Sequence, residues 1–315
     1  MTALAGAGAL RAQTNDDVIT LPEVVQGVQQ WAQQNVDTNV LAALPALDPA
    51  VVDRFYNEFQ ERMGGNVVVD VAALRDTART VLPLLASRPE TQPYASWLKA
   101  QMDYLDVAEE IRELPPAPPL VITNAPARGA TNAAPVVARN PPPQEERELW
   151  RRQVTGRPLP AGAGAYVAEL KPVFVAQNVP PELVWVAEVE SSFDREAQSP
   201  AGAVGLFQFM PETARRFGLS LWPRDQRMQA VPSARAAAEY FKYLFDRFQD
   251  WRLVMAAYNA GEGTVERLLA RESAHSYDAI AGHLPAETQM YVPRIEAVLQ
   301  EREGAGLEGL ARPGI

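Results

Sequence analysis

A proline-rich segment divides the chain into two parts. Residues 115–143 contain nine prolines in 29 positions, separated mostly by small or polar residues. Such a segment buries too little apolar surface to offset the entropy that ordering it would cost. It is predicted to be an extended linker, with a proline recognition motif as the alternative. Folded structure is therefore expected on either side of it, in residues 14–114 and 144–302.

The first part is predicted to be a helical N-terminal domain. Apolar residues recur at helical spacing, as at Val52, Phe55 and Phe59, and two further amphipathic helices are expected over residues 70–86 and 93–114. No chemical motif appears in this part of the sequence. An acidic group on the last of these helices is predicted to be a solvated helix face. Its members are Asp103, Asp106, Glu109 and Glu110.

The second part is also predicted to be mainly α. Residues 144–302 contain no run of alternating apolar and polar residues long enough to demand a sheet. The expected fold is therefore a helical domain preceded by a separate helical N-terminal domain, with residues 303–315 as a disordered tail. Residues 1–13 are small and apolar, which is typical of the end of a secretory signal peptide, although a disordered N-terminus fits them equally well.

Charge and composition exclude several classes of function. The net charge is −10 and the sequence pI is about 4.9, so no nucleic-acid partner is expected. The chain has no cysteine, which excludes disulfides and thiolate sites, and its only histidines are His275 and His283. A histidine-rich metal site is therefore not expected. No apolar run reaches the length of a transmembrane helix, so no transmembrane segment is expected.

Glu190 is the strongest candidate for a reactive group. A helix is predicted to run to about residue 191, and on it Leu183, Val186 and Glu190 share one face. Burial at the end of this apolar stripe would raise the pKa of Glu190, as a glycosidase acid requires. The alternative is a structural carboxylate that caps backbone or pairs with Arg195. Glu188 lies on a different face and is the weaker candidate.

Other polar residues stand beside turns, where side chains can face a cleft. Gln208 is the single polar side chain in the apolar run 206–210, and it either satisfies buried backbone or binds a polar ligand. Tyr258 and Asn259 close an apolar helix before a glycine-containing turn, and simple helix termination is the alternative.

Four blocks of the second part, in this order, resemble the catalytic domain of the soluble and membrane-bound lytic transglycosylases, which has the goose-type lysozyme fold. The resemblance covers roughly residues 166–301. The blocks are Glu190-Ser191-Ser192-Phe193, Gly205-Leu206-Phe207-Gln208 with Met210-Pro211, Ala257-Tyr258-Asn259-Ala260-Gly261, and Glu287-Thr288 with Tyr291-Val292.

The resemblance implies a role for each matching position. Glu190 would be the catalytic residue. Ser199 and Gln208 would contact substrate, with Met210 lining the same cleft. Tyr258 would hold the catalytic glutamate, with Asn259 beside it. Glu287 and Tyr291 would form the far wall of the cleft.

The resemblance also implies the chemistry. Glu190 would protonate the glycosidic oxygen between N-acetylmuramic acid and N-acetylglucosamine. It would then accept a proton from the muramic acid 6-hydroxyl, whose attack leaves a 1,6-anhydro end. A lysozyme-like hydrolase and a non-enzymatic glycan-binding scaffold remain alternatives. The substrate would be peptidoglycan glycan strands in the periplasm or cell envelope, and no metal or organic cofactor is implied. A cell-wall protein could be a partner through residues 14–114.

Overall fold

The computed structural model describes residues 49–114 and 140–314, and there the chain is mainly α, as the sequence predicts. Within these residues β-structure is limited to two isolated bridges, Gln198 with Val204 and Val204 with Phe209. Short 3-10 helices connect several of the α-helices. The α-helices are α1 (Pro49–Gly64), α2 (Arg75–Ala86), α3 (Gln92–Glu113), α4 (Pro143–Val154), α5 (Ala163–Ala176), α6 (Val186–Ser191), α7 (Pro211–Arg216), α8 (Ala230–Phe248), α9 (Trp251–Ala260), α10 (Glu262–Glu272), α11 (Tyr277–Ile280) and α12 (Ala286–Glu303).

The three N-terminal helices follow the apolar pattern of the sequence. On α1, Val52, Phe55 and Phe59 are buried, and the helix ends at Gly64, where two glycines stop it. The second predicted helix begins later than expected. Residues 68–74 form a 3-10 helix, and α2 follows directly from it. The apolar spacing of a 3-10 turn is close to that of an α-helix, so the sequence pattern did not separate the two.

The expectation of a separate N-terminal domain is not confirmed. Buried side chains of α1 to α3 belong to the same hydrophobic cluster as those of the C-terminal helices. The Tyr104 ring on α3 meets the Trp150 ring on α4 edge to face, with centroids 5.4 Å apart. The amide of Ala286, at the start of α12, donates to the carbonyl of Gly65 at 2.6 Å. The apolar faces of α1 to α3 are therefore buried partly against the C-terminal half.

The predicted linker and tail have different outcomes. Residues 1–48 and 115–139, which include the predicted signal remnant and most of the linker, lie outside the described residues. Near the end of the linker, Asn140 accepts from the Val68 amide at 2.8 Å and donates to Gln289 Oε1 at 2.8 Å. The prediction of a disordered tail over 303–315 is wrong for residues 303–314. Leu307 is fully buried, and the carbonyl of Ala311 accepts from the Trp251 indole at 3.1 Å.

Helices α9 and α12 form the centre of the C-terminal half. In α9 the residues Leu253 to Ala257 are all buried, so this apolar helix lies in the core. Its start is capped by Asp250, which accepts from the amides of residues 252 and 253. Helix α12 packs against α9 and is buried along most of its length. Among the described helices, none is long and apolar enough to cross a membrane.

Candidate functional site

Helix α6 places Glu190 at the edge of the core. Leu183, in the 3-10 helix that precedes α6, and Val186 at the start of α6 are fully buried, whereas Glu190 near the end of α6 stays partly accessible. The helix ends because Ser192 adopts a left-handed conformation with φ 52°. The Ser191 hydroxyl donates to the carbonyl of Leu206 at 3.0 Å, which ties the end of α6 to the following loop. The carboxyl group of Glu190 is therefore held by rigid neighbours.

Tyr291 on α12 holds the Glu190 carboxyl directly. Its hydroxyl donates to Glu190 Oε1 at 2.6 Å, and the Tyr291 side chain is 1% exposed. The pKa of Glu190 is raised to about 8, mainly by burial. The charge of Glu287 also raises this pKa, whereas the hydrogen bond from Tyr291 and the charge of Arg294 lower it. Burial and the Glu190 charge raise the pKa of Tyr291, so its hydroxyl remains a donor. Glu190 is thus an acid that keeps its proton near neutral pH.

The structure corrects the role expected of Tyr258. Its hydroxyl donates to the carbonyl of Phe207 at 2.7 Å, and Tyr291 instead donates to Glu190. Burial raises the pKa of Tyr258, with the charge of Glu190 as the next cause, so the two groups are still neighbours. Tyr258 lies near the end of α9 and fixes the loop opposite α6. The sequence could not separate the roles of the two tyrosines. The spacing of residues within a helix does not show which group of another helix a side chain meets.

The alternative roles for the two acidic residues on α6 are also settled by their partners. Arg195 pairs with Glu196 at 3.9 Å, so it does not neutralise Glu190. Glu188 is 4% exposed and accepts from Arg302 Nη2 at 2.8 Å and from its Nε at 3.0 Å. Glu188 is therefore an ion-pair partner of α12, and Glu190 is the carboxyl group of α6 that stays partly accessible.

A second carboxyl group lies near Glu190. Glu287, at the start of α12, accepts from Asn259 Nδ2 at 3.2 Å, and Thr288 donates to Asn259 Oδ1 at 2.6 Å. Burial raises the pKa of Glu287 against the effect of the Asn259 hydrogen bond. Asn259 thus links α9 to α12, whereas the neighbouring Tyr258 contacts the loop that carries Phe207.

The loop between α6 and α7 is held by its own polar side chains. Ser199 is 6% exposed, and its hydroxyl accepts from the amide of Ala203 at 2.9 Å. Gln208 Nε2 donates to the carbonyls of Ala197 at 3.1 Å and Gly205 at 2.9 Å. Both residues therefore satisfy backbone. Gln208 Oε1 is buried and has no hydrogen-bond partner among the described residues, so it remains available to a polar ligand.

Arg227 clamps the same loop and was missed by sequence reasoning. It is 8% exposed, and its Nη1 donates to the carbonyls of Gly202 at 2.8 Å and Phe209 at 3.0 Å. Its backbone lies so close to Gly205, at φ 88°, that a Cβ there would stand 2.0 Å from the Arg227 carbonyl oxygen. The glycine is therefore required by a close approach of two backbones. A lone arginine after a loop carries no pattern that would have predicted this.

The last candidate from the loop is Met210. It precedes α7 as its N-cap residue, and its side chain is 42% exposed, unusual for a large apolar residue. An exposed thioether beside a polar loop offers a flexible apolar contact to a ligand. Among the residues that the structure describes, no three acidic or histidine side chains group together as metal ligands would.

Comparison with known proteins identifies this region. The sequence profile of the family described as "Transglycosylase SLT domain" matches residues 175–281. The chain contains a transglycosylase SLT domain. Within this SLT domain lie Glu190, Ser199, Gln208, Met210, Tyr258 and Asn259. Glu287 and Tyr291 follow it on α12, so the hydroxyl that holds Glu190 comes from outside the matched residues.

Named relatives agree with the SLT domain. Over 126 residues the chain is 40% identical to the membrane-bound lytic murein transglycosylase D of Escherichia coli K12, a match that covers 39% of this chain and 28% of that protein. It is 33% identical over 121 residues to the soluble lytic murein transglycosylase of Salmonella typhimurium, covering 36% and 19%. The chain thus spans less than a third of the length of either relative.

A solved structure gives a broader but looser comparison. The 70 kDa soluble lytic transglycosylase of Escherichia coli aligns with 96% of this chain and 60% of that chain, at 18% identity and a TM-score of 0.40.

Proposed function

We propose that this protein is a peptidoglycan lytic transglycosylase. It cleaves the β-1,4 bond between N-acetylmuramic acid and N-acetylglucosamine and leaves 1,6-anhydro-N-acetylmuramic acid ends. One observation carries the proposal. Within an SLT domain, the partly buried Glu190 has a pKa raised to about 8 and accepts a 2.6 Å hydrogen bond from Tyr291. A carboxyl group in this state is suited to act as a general acid near neutral pH.

In the first step Glu190 gives its proton to the glycosidic oxygen. Tyr291 occupies Oε1, so we assign Oε2 to the substrate. Positive charge develops at the anomeric carbon as the bond breaks, and the N-acetyl group of the sugar is placed to meet it. Glu190 is then a carboxylate, and the hydrogen bond from Tyr291 stabilises that charged form.

In the second step the ionised Glu190 accepts the proton of the muramic acid 6-hydroxyl. The hydroxyl oxygen attacks the anomeric carbon and closes the anhydro ring, so no water is consumed. Because the nucleophile belongs to the bound sugar, its effective concentration is high. Glu287 already accepts a hydrogen bond from Asn259 at 3.2 Å, so we assign it no role as a base for a competing water.

The remaining candidates are proposed to bind the glycan. The buried, unpaired Oε1 of Gln208 would accept from a sugar amide or hydroxyl, and Met210 would contact an apolar sugar face. Ser199 would shape the loop that carries them. Tyr258, Asn259, Glu287 and Tyr291 would form the wall opposite α6. A chain with this substrate would act in the periplasm or elsewhere in the cell envelope.

A protein partner bound through residues 14–114 is no longer needed to account for α1 to α3. Their apolar faces already pack against the C-terminal helices.

Digestion of purified peptidoglycan in heavy-oxygen water tests the function. Mass spectrometry should find anhydro muropeptides without heavy oxygen at the cleaved end. Reducing ends that carry heavy oxygen would identify a lysozyme-like hydrolase instead. Glu190→Gln should abolish all product, because an amide has no acidic proton to donate. The matched control is Glu196→Gln, an exposed residue on the following loop, which should keep wild-type activity.

A further inference from the structure

A buried ion pair joins the N-terminal helices to the helix behind the catalytic acid. Arg294 on α12 is 2% exposed, and its Nη2 donates to Asp103 Oδ2 on α3 at 2.6 Å. Arg157 donates to both oxygens of the same carboxylate, at 2.6 and 2.9 Å. Asp103 was expected to lie on a solvated helix face. That expectation is wrong, because two arginines from the C-terminal half surround it.

Arg294 depends on this pairing. Its Nε and Nη1 are buried without hydrogen-bond partners among the described residues, and the carboxylate that it hydrogen-bonds there is that of Asp103. Its guanidinium lies over the rings of Tyr104, at 4.7 Å, and Trp150, at 5.6 Å. These rings hold the cation in place but do not neutralise it. A buried cation that loses its partner is costly, so the position of Arg294 follows Asp103.

The same helix face carries the group that holds Glu190. Tyr291 and Arg294 are three residues apart on α12 and are therefore neighbours on its surface. Tyr291 donates to Glu190 at 2.6 Å. A shift of Arg294 would be passed to Tyr291 through this turn, and the charge of Arg294 already acts on Glu190.

We propose that Asp103, which lies outside the SLT domain, is a positioning residue for catalysis: it holds and neutralises Arg294 behind Glu190. The inference rests on the proposed function, because it concerns the proton transfers assigned to Glu190. It makes α3 a working part of the catalytic unit, although the family match begins at residue 175.

The charged and titratable groups around the pair set the direction of the effect. Those acting on or influenced by Glu190 are Glu287, Tyr291 and Arg294 on α12, Tyr258 on α9 and Tyr104 on α3. Those acting on Arg294 are Asp103 and Tyr104 on α3 and Glu188 on α6. Loss of the Asp103 charge leaves Arg294 less compensated. Its positive field then favours the ionised form of Glu190 and lowers the pKa of that carboxyl.

Opposite shifts are therefore expected from the two partners. Asp103→Asn should move the alkaline limb of kcat for anhydro-product release to lower pH by about half to one unit. Arg294→Gln removes the cation and should move the same limb to higher pH. Asp103→Glu keeps the charge and should restore the limb to near its wild-type position. The matched control is Asp106→Asn, which removes an equal charge from the same helix. The Asp106 carboxylate pairs with Arg75 and Arg79 on α2.

A second measurement makes the test independent of activity. The ¹³C NMR titration of the Glu190 carboxyl, assigned by its absence in Glu190→Gln, needs no substrate. If the wild type releases no anhydro products, the proposed function is refuted. The titration of Glu190 would still decide the inference. If Asp103→Asn does not fold, Arg294→Gln and Asp103→Glu provide the comparison. The inference is refuted if the folded Asp103 and Arg294 variants titrate Glu190 at the same pH as Asp106→Asn.

Discussion

Replacing Glu190 by glutamine is expected to stabilise the folded protein, and by more at pH 8 than at pH 5. Burial raises the pKa of Glu190 from 4.5 to about 8 in the folded state. Between these values the folded protein holds a proton that the unfolded chain has released. The stability from this proton is full below the lower value and is lost progressively as the pH rises through the higher one. Glutamine does not titrate, so the variant escapes this loss.

The magnitude follows from the width of that window. Each unit of pKa shift corresponds to about 1.4 kcal/mol, so from pH 5 to pH 8 the wild type should lose up to about 4 kcal/mol relative to the variant. Because the carboxyl group is partly accessible to solvent, a value of about 2 kcal/mol is the more realistic expectation.

Urea unfolding followed by tryptophan fluorescence, at intervals between these two pH values, measures the difference. Subtracting the wild-type free energy of unfolding from that of Glu190→Gln cancels the pH dependence of groups that both proteins share. Glu196→Gln, at an exposed position, is the matched control variant. A constant difference between wild type and Glu190→Gln across the range would refute the claim that the folded protein keeps Glu190 protonated.

Three other changes test separate parts of the structure. Tyr291→Phe removes the 2.6 Å hydrogen bond to Glu190. Its loss should raise the Glu190 pKa by about one unit and slow product release about tenfold or more, and pH–rate profiles measure both effects. Gly205→Ala should destabilise by about 3 kcal/mol or prevent folding, since its Cβ would stand 2.0 Å from the Arg227 carbonyl oxygen; thermal unfolding measures this. Limited proteolysis should cut first within residues 115–143, as gel analysis would show, and the two fragments should stay associated on size-exclusion chromatography because their helices share a core.

Each of these three predictions has a result that would contradict it. An unchanged pH–rate profile for Tyr291→Phe would mean that the hydroxyl does not act on the catalytic acid. Gly218→Ala is the control for Gly205→Ala, because its φ of 77° carries the same backbone strain with nothing near its added Cβ. If both variants are destabilised equally, the close approach of the Arg227 backbone is not what requires glycine at position 205. Fragments that separate and remain folded would restore the prediction of an independent N-terminal domain.

The sequence by itself determined the helical class and the catalytic candidate. Helical spacing of apolar residues located α1, α3 and α9, because the repeat of an α-helix is a local property that each segment carries on its own. The spacing of Leu183, Val186 and Glu190 likewise placed the carboxyl at the edge of a buried face. The four blocks of the lytic transglycosylase resemblance then implied its chemistry, and the SLT domain match contains the first three of them.

Only the tertiary structure decided which distant groups meet. Tyr291 holds Glu190 across 101 positions, and Arg294 finds Asp103 across 191. Neither contact leaves a periodic signal, because the partners lie on different helices whose relative rotation is set by packing. The same reason explains the wrong predictions for Asp103 and for the tail. Whether an amphipathic face or a short apolar segment meets solvent or another helix depends on what the rest of the chain brings to it.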